Sequence, residues 1–245
     1  MWWRTGTVSA PDDRMAGILR QLDADGPERS GTLRLCTLAT DLTGVTGASI
    51  MLLSDELARG SLSTTDGVAE CLDDLQFTLG EGPALDAHAG GRPVAEPDFC
   101  MPVTVRWPVL LPPAIEAGVR AMFAFPVRIG AVRLGALALY RTAPGPLTDL
   151  QHADGLAMAL VAARAILAMQ ADAPPGSVSE ELESGANLHF VVHQAAGMVS
   201  VQLGVSVAEA LVRLRAYAFV SERAIDDVCR DVVDRHLRFG ERGNA

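Results

Sequence analysis

The residues of this chain that are best suited to binding anions are its arginines. All 20 basic residues are arginine, and none is lysine. Each guanidinium is planar and can donate two parallel hydrogen bonds to a phosphate or to the edge of a base. Residues 1–184 hold 13 arginines against 23 acidic residues, whereas residues 185–245 hold seven of each. The excess of acid therefore lies entirely in the first part of the chain.

The chain as a whole is acidic, with 30 acidic residues, a formal net charge of −10 and a pI near 4.9. Such a protein repels phosphates and anionic lipid, so any contact with nucleic acid must be local. Of its 245 residues, 49% are apolar, enough for the cores of about two domains. No uninterrupted apolar run approaches the length of about 18 residues typical of a membrane span, and no secretion signal is evident. We expect a cytoplasmic protein without a membrane contact.

Motifs for catalysis and metal binding are missing from the sequence. The four cysteines, Cys36, Cys71, Cys100 and Cys229, form no CxxC or CxxH pair, so we expect reduced and mostly buried thiols. The sequence also contains no GxxxxGK[ST], HExxH or GxSxG motif. These observations predict a protein that is not an enzyme and that holds no metal and no cofactor.

Apolar residues in the first 145 positions change from a helical to an extended spacing. Residues 1–14 show no periodicity, and we expect a flexible arm there. Helical spacing follows from Met15 to about Val45, with a break at Asp25-Gly26-Pro27. Two β-hairpins come next: residues 48–53 with 60–65 around Asp55-Glu56, and residues 118–129 with 132–140 around Gly130-Ala131. The two hairpins are expected to share one sheet.

Residues 72–113, between the hairpins, are rich in proline and are expected to lie over the sheet rather than inside it. After the second hairpin, Thr148 and Gln151 form a capping box that predicts the start of a helix. The apolar face of that helix runs from Leu150 to Leu167 and suits packing against another helix. Residues 171–184, rich in Asp, Pro, Ser and Glu, are predicted to be a linker.

Three short helices are predicted after the linker, over residues 185–240, with a tail at 241–245. The first has apolar residues on one face from Leu188 to Leu203 and ends at Gly204, in a left-handed C-cap. The second starts at a capping box formed by Ser206 and Glu209. The third is predicted to be capped by Ser221.

Residues 15–170 resemble a GAF domain. The motifs that carry the resemblance are Leu79-Gly80-Glu81-Gly82-Pro83, Gly91-Arg92-Pro93-Val94, Arg106-Trp107-Pro108 and the strand that ends in Gly135-Ala136-Leu137-Ala138-Leu139-Tyr140. The resemblance implies an α+β domain whose central antiparallel sheet is flanked by helices. It also implies a sensor of a small-molecule or protein signal, and a homodimer formed through the flanking helices.

Residues 185–240 resemble an ANTAR domain, the all-α, three-helix RNA-binding module of transcription antiterminators. The resemblance is carried by Gln194-Ala195-Ala196-Gly197-Met198, by Ser206 with Glu209-Ala210, by Leu214-Arg215 and by Asp227-Val228-Cys229. The family often has a basic residue where Ala196 stands and usually alanine where Cys229 stands.

The second resemblance implies a signal-responsive antiterminator that binds paired hairpins in nascent RNA, so that polymerase reads through a terminator. Unstacked loop bases are recognised by stacking and by arginine. The residues implied for RNA contact are Gln194, Ser206, Arg213, Arg215, Tyr217, Arg223 and Arg230. The arginines would contact phosphates or bases, Tyr217 would stack on a base, and Gln194 and Ser206 would make polar contacts.

Two other functions stay open from the sequence. A DNA-binding regulator is one, because Gly204-Val205-Ser206 between two amphipathic helices imitates a helix-turn-helix. Against it, the second helix uses its apolar face for a core and keeps only Arg213 and Arg215 as basic residues. A scaffold that only dimerises through the GAF-like part is the other.

Overall fold

A computed structural model describes residues 11–24, 31–53, 58–102, 106–171, 187–188, 190–221 and 223–240. The helices are α1 (Pro11–Ala24), α2 (Gly31–Thr43), α3 (Gly67–Leu79), α4 (Pro83–Gly90), α5 (Leu111–Glu116), α6 (Asp149–Gln170), α7 (Phe190–Leu203), α8 (Val207–Val220) and α9 (Ile225–Val233). The strands are β1 (Gly47–Leu53), β2 (Ala58–Thr64), β3 (Val94–Glu96), β4 (Ala121–Ile129), β5 (Val132–Arg141) and β6 (Asn187–Leu188). The predicted break at 25–27, the turn at 55–56, the linker after residue 171 and the tail lie outside the described residues.

The strands form one antiparallel sheet in the order β3-β4-β5-β1-β2-β6. Both predicted hairpins are confirmed, since β1 pairs with β2 and β4 pairs with β5. Strands β1 and β5 join the hairpins, with Gly47 opposite Tyr140. The predicted α+β architecture, a central antiparallel sheet flanked by helices, is what the structure has.

Each face of the sheet has its own core, because successive side chains of a strand point to opposite faces. On β1, Ile50 and Leu52 pack in the core formed with α1, α2 and α6. Met51 and Leu53 pack in the opposite core, formed with α3, α4 and α5. This second core continues into α7, α8 and α9, so the C-terminal helices rest on the α3 side of the sheet.

Helix α6 begins at the predicted capping box. Gln151 N–H donates to Thr148 Oγ1 (3.2 Å), and Thr148 N–H donates to Gln151 Oε1 (2.9 Å). Arg14 of α1 forms an ion pair with Asp154 of α6. Among the described helices, α6 is the one that is long and apolar enough to cross a membrane by itself, but half of its apolar window is buried inside the protein. It packs as a core helix against α1, α2 and β4.

Within its described residues, the segment between the hairpins contributes one strand to the sheet. Helices α3, α4 and α5 lie over the sheet as predicted, but the prediction is wrong for Val94–Glu96, which pair with β4 as strand β3. This strand is at the sheet's edge, where backbone hydrogen bonds are needed on one side only. Pro93, just before it, is tolerated for that reason.

The three predicted C-terminal helices are present as α7, α8 and α9, and two of the predicted boundaries are wrong. Gly204 has φ +66°, the predicted left-handed conformation, and Glu209 N–H donates to Ser206 Oγ (3.1 Å). Leu188, however, lies in β6, because the chain pairs with β2 before α7 starts. Ser221 ends α8, where its hydroxyl donates to Tyr217 O (2.7 Å), and Ala224 precedes α9.

Candidate nucleic-acid interface

Helix α8 separates a buried face from an exposed one. Ala210, Leu211, Leu214 and Ala218 are buried in the core of the three helices. Arg213 and Tyr217 are four residues apart and share the exposed side. Ser206 positions the start of this helix, because its hydroxyl oxygen accepts the otherwise unpaired N–H of Glu209.

Three of the predicted RNA-contacting arginines are exposed and each pairs with one carboxylate. Arg213 donates to Glu209 (3.0 Å), Arg223 to Asp231 (2.7 Å) and Arg230 to Asp227 (2.7 Å). Ion pairs at the surface contribute only about 0–1 kcal/mol. In each pair the guanidinium, which has five N–H donors, donates one hydrogen bond to the carboxylate. The carboxylates orient these side chains and leave most of their donors available for a phosphate.

Tyr217 lies against the end of the described C-terminal segment. Its ring meets the ring of Phe239 edge-on, with centroids 5.5 Å apart, and the Tyr217 residue keeps 38% of its surface exposed. Phe239 N–H donates to Gln202 Oε1 (2.9 Å), so residues after α9 turn back across α7 and α8. Tyr217 thus offers an exposed part of an aromatic ring that is held in place.

Arg235 and Arg238, which no sequence motif singles out, lie on this returning segment. Both are exposed, and neither forms an ion pair within the part of the chain that the structure describes. Arg235 has φ +63°, which allows the chain to reverse after α9. Their position near the end of the predicted three-helix domain is the one sequence feature that points to them. No neighbouring residue predicts that the segment folds back onto Tyr217.

Arg215 lies on another side of α8 and faces the sheet domain, which consists of the sheet and helices α1 to α6. Its guanidinium carbon is 5.6 Å from the centroid of the Phe77 ring in α3. The Nε atom is buried without a hydrogen-bond partner, and burial lowers the pKa of Arg215 to about 10. The structure therefore brings Arg213 and Tyr217 together but turns Arg215 away from them.

The other predicted contacts fall at the surface. Gln194 on α7 and Ser206 are exposed. Ala196 is fully buried in the core of the three helices, so its side chain is not at a position that could contact a phosphate. Cys229 is also buried in that core, where its thiol fills more space than the methyl group of an alanine would.

Reactive groups are few in the described residues. No cluster of three or more His, Cys, Asp or Glu side chains able to hold a metal ion is present there. Cys36 and Cys229 are buried, and burial raises the pKa of each thiol to about 12. Cys71 and Cys100 are exposed, so the prediction of mostly buried thiols holds for two of the four.

No protein-family model matches the sequence, and no curated protein matches it. Solved structures that resemble part of the chain include the GAF domain of a phosphoenolpyruvate-protein phosphotransferase from Coxiella burnetii. It has 15% identity and a TM-score of 0.49, over 68% of this chain and 98% of that one. The corresponding GAF domain from Acinetobacter has 11% identity and a TM-score of 0.48, over 66% and 96% of the two chains.

A third structure, the type II free methionine-R-sulfoxide reductase from Thermoplasma acidophilum, has 13% identity and a TM-score of 0.42, over 62% of this chain and 94% of that one. These are similarities of fold at low identity. They assign no activity to this chain.

Proposed function

We propose that this protein is a signal-responsive, RNA-binding transcription antiterminator that combines a GAF-like sensor domain with an ANTAR-like effector domain. The motifs in residues 15–170 and 185–240 support the two family assignments. The α+β sheet domain followed by three packed helices agrees with that organisation. The target is a transcript with paired hairpins, bound in the cytoplasm.

The observation that carries the proposal is the exposed set of cationic and aromatic side chains on the three-helix unit formed by α7, α8 and α9. Arg213, Tyr217 and Arg223 are exposed on or just after α8. Arg238 lies beside Phe239, the residue that packs on Tyr217. An aromatic ring beside arginines is the combination that binds unstacked bases and their phosphates.

Dimerisation through the sheet domain would present two such surfaces to two hairpins. Leu156, Leu160 and Leu167 are spaced at four and seven residues along α6 and are 37–44% exposed, whereas nine other residues of this helix are buried. Leucines at this spacing suit contact with a second helix. Linking two binding surfaces raises the effective concentration of the second hairpin without any new contact.

The test is fluorescence anisotropy of the full chain with three probes: a double-hairpin leader RNA, a single-stranded RNA of the same composition, and duplex DNA. We expect preference for the double hairpin, and increased read-through when the protein is added to transcription across an intrinsic terminator. Equal affinity for all three probes would overturn the proposal. Binding to no probe would favour a dimerisation scaffold.

DNA binding remains the second candidate because of the angle between two helices. Helices α7 and α8 are bent by 105° at their connection, within the range of helix-turn-helix motifs. A recognition helix reads bases with residues near its N-terminus. In α8 the exposed residues there are Ala208, Glu209, Val212 and Arg213, of which only Arg213 suits contact with a guanine edge. Preference for duplex DNA in the same assay would support this candidate.

A further inference from the structure

A pocket of about 300 Å³ lies where α8 meets the end of α3. Its volume is at the lower end of the range for small-molecule sites. The lining comes from the sheet domain and from the three-helix unit: Thr78, Leu79, Gly80, Val109, Val212, Arg215, Ala216 and Phe219. The described walls are therefore mainly aliphatic and aromatic, and one of their side chains is charged.

That charged side chain, Arg215, has no counter-ion among the residues that the structure describes. No hydrogen bond or ion pair to it exists within the described parts of the chain, and its buried Nε atom is among the unpartnered polar atoms. The ring of Phe77 lies beneath the guanidinium. Burial makes the charged form less favourable, as the lowered pKa of Arg215 indicates. A cation taken out of water in this way is stabilised by an anion that enters the site.

Two acidic residues of these segments, Glu81 and Glu209, do not supply that anion. Glu81 follows Gly80, but its Oε1 atom accepts hydrogen bonds from Val109 N–H (2.8 Å) and Leu110 N–H (2.9 Å). Glu209 is paired with Arg213. The C-terminus of α3 carries only the partial negative charge of the helix dipole, which offsets part of the cost of burying Arg215.

We propose that this pocket binds a small monocarboxylate with an aromatic or branched aliphatic body. The carboxylate would accept hydrogen bonds from the Nη1 and Nη2 groups of Arg215, and the body would lie against Leu79, Val212 and Phe219. One negative charge matches the one cation, whereas a phosphate dianion would leave one negative charge unpaired and has no apolar body to contact Leu79, Val212 and Phe219. The proposal rests on the pocket alone and does not require that the protein bind RNA.

Calorimetric titration of the full chain with phenylacetate tests it, with phenylacetamide as the neutral analogue and inorganic phosphate as an anion without an apolar body. We expect phenylacetate to bind at least about tenfold more tightly than either, since one charge-assisted hydrogen bond accounts for a factor of this size. Backbone amide resonances of Gly80 and Ala216 should shift on binding.

Arg215→Gln should weaken phenylacetate binding by about tenfold or more, whereas Arg213→Gln, two residues away on the exposed side, should leave it unchanged. Ala216→Phe, which fills the pocket without altering Arg215, should also abolish binding. The proposal is overturned if phenylacetate gives neither heat nor amide shifts in the millimolar range. It is also overturned if phosphate binds equally well, or if the two arginine variants behave alike.

Discussion

The carboxylate of Asp73 accepts a hydrogen bond of 2.6 Å from the hydroxyl of Ser61, and both side chains are buried between α3 and the sheet. Ser49 donates a second hydrogen bond of 2.7 Å. Burial raises the pKa of Asp73 to about 7, although the two serine hydrogen bonds favour the ionised form and act in the opposite direction. Asp73 is therefore an internal acid that ionises near neutral pH.

This acid should make the folded state less stable as the pH rises. An acid whose folded-state pKa exceeds its unfolded-state pKa of 3.8 binds its proton more tightly when folded. The contribution of Asp73 is therefore fully present below about pH 4 and is lost as the pH rises to about 7, by at most about 4 kcal/mol. Asp73→Asn should not show this loss in urea unfolding across that range. Asp41→Asn, at an exposed position, is the control and should keep the pH dependence of the native chain. Identical pH profiles of stability for the native chain and Asp73→Asn would contradict the prediction.

Glycine is required at position 80 by the backbone conformation and by the closeness of the Arg215 side chain. It has φ +71°, and an ideal Cβ atom there would lie 2.7 Å from Nη1 of Arg215. Gly80→Ala should lower the free energy of unfolding by about 1–2 kcal/mol from backbone strain alone. Gly197→Ala, inside α7 with no atom within 4 Å of an ideal Cβ, should raise it by about 0.5–1 kcal/mol. Urea unfolding measures both, and a change of the same sign in the two variants would argue against this account.

The proposed RNA surface predicts which arginines contribute to the salt dependence of binding. Arg213→Ala and Arg238→Ala should each weaken binding to the double-hairpin RNA. Each should also lower the slope of log K against log salt concentration by about 0.7, the increment for one phosphate contact with a single strand. The control is Arg128→Ala on β4, an exposed arginine of the sheet domain that donates to Gly130 O. A slope that changes equally in all three variants would indicate a general charge effect instead.

The leucine row on α6 predicts the oligomeric state. Leu160→Glu should convert a dimer into a monomer in sedimentation velocity, with little effect on unfolding of the monomer because the side chain is 37% exposed. Leu150→Glu is the control and should leave the dimer intact. Leu150 is 55% exposed but lies outside the row formed by Leu156, Leu160 and Leu167. A dimer that survives Leu160→Glu, or a native chain that is monomeric, would remove α6 as the dimer contact.

Features set by neighbouring residues could be predicted from the sequence alone. The capping box of Thr148 and Gln151 and the left-handed Gly204 were predicted because their hydrogen bonds and backbone angles depend on a few adjacent positions. The two hairpins followed from alternating apolar residues and their turns for the same reason. Three C-terminal helices followed from spacing, although Ser221 was assigned to the wrong helix because a serine can bond the carbonyls behind it as well as the amides ahead.

The surroundings of each arginine depended on the tertiary structure. Arg213 and Arg215 are the same residue type on one helix, and their sequence does not say that one pairs with Glu209 while the other lies on Phe77. That difference arises because α8 packs against α3, a helix far away in the chain. Arg235 and Arg238 join the exposed surface because Phe239 returns to Tyr217. Local hydrogen bonding determines where a helix begins and ends, whereas packing between distant segments determines which of its side chains face solvent.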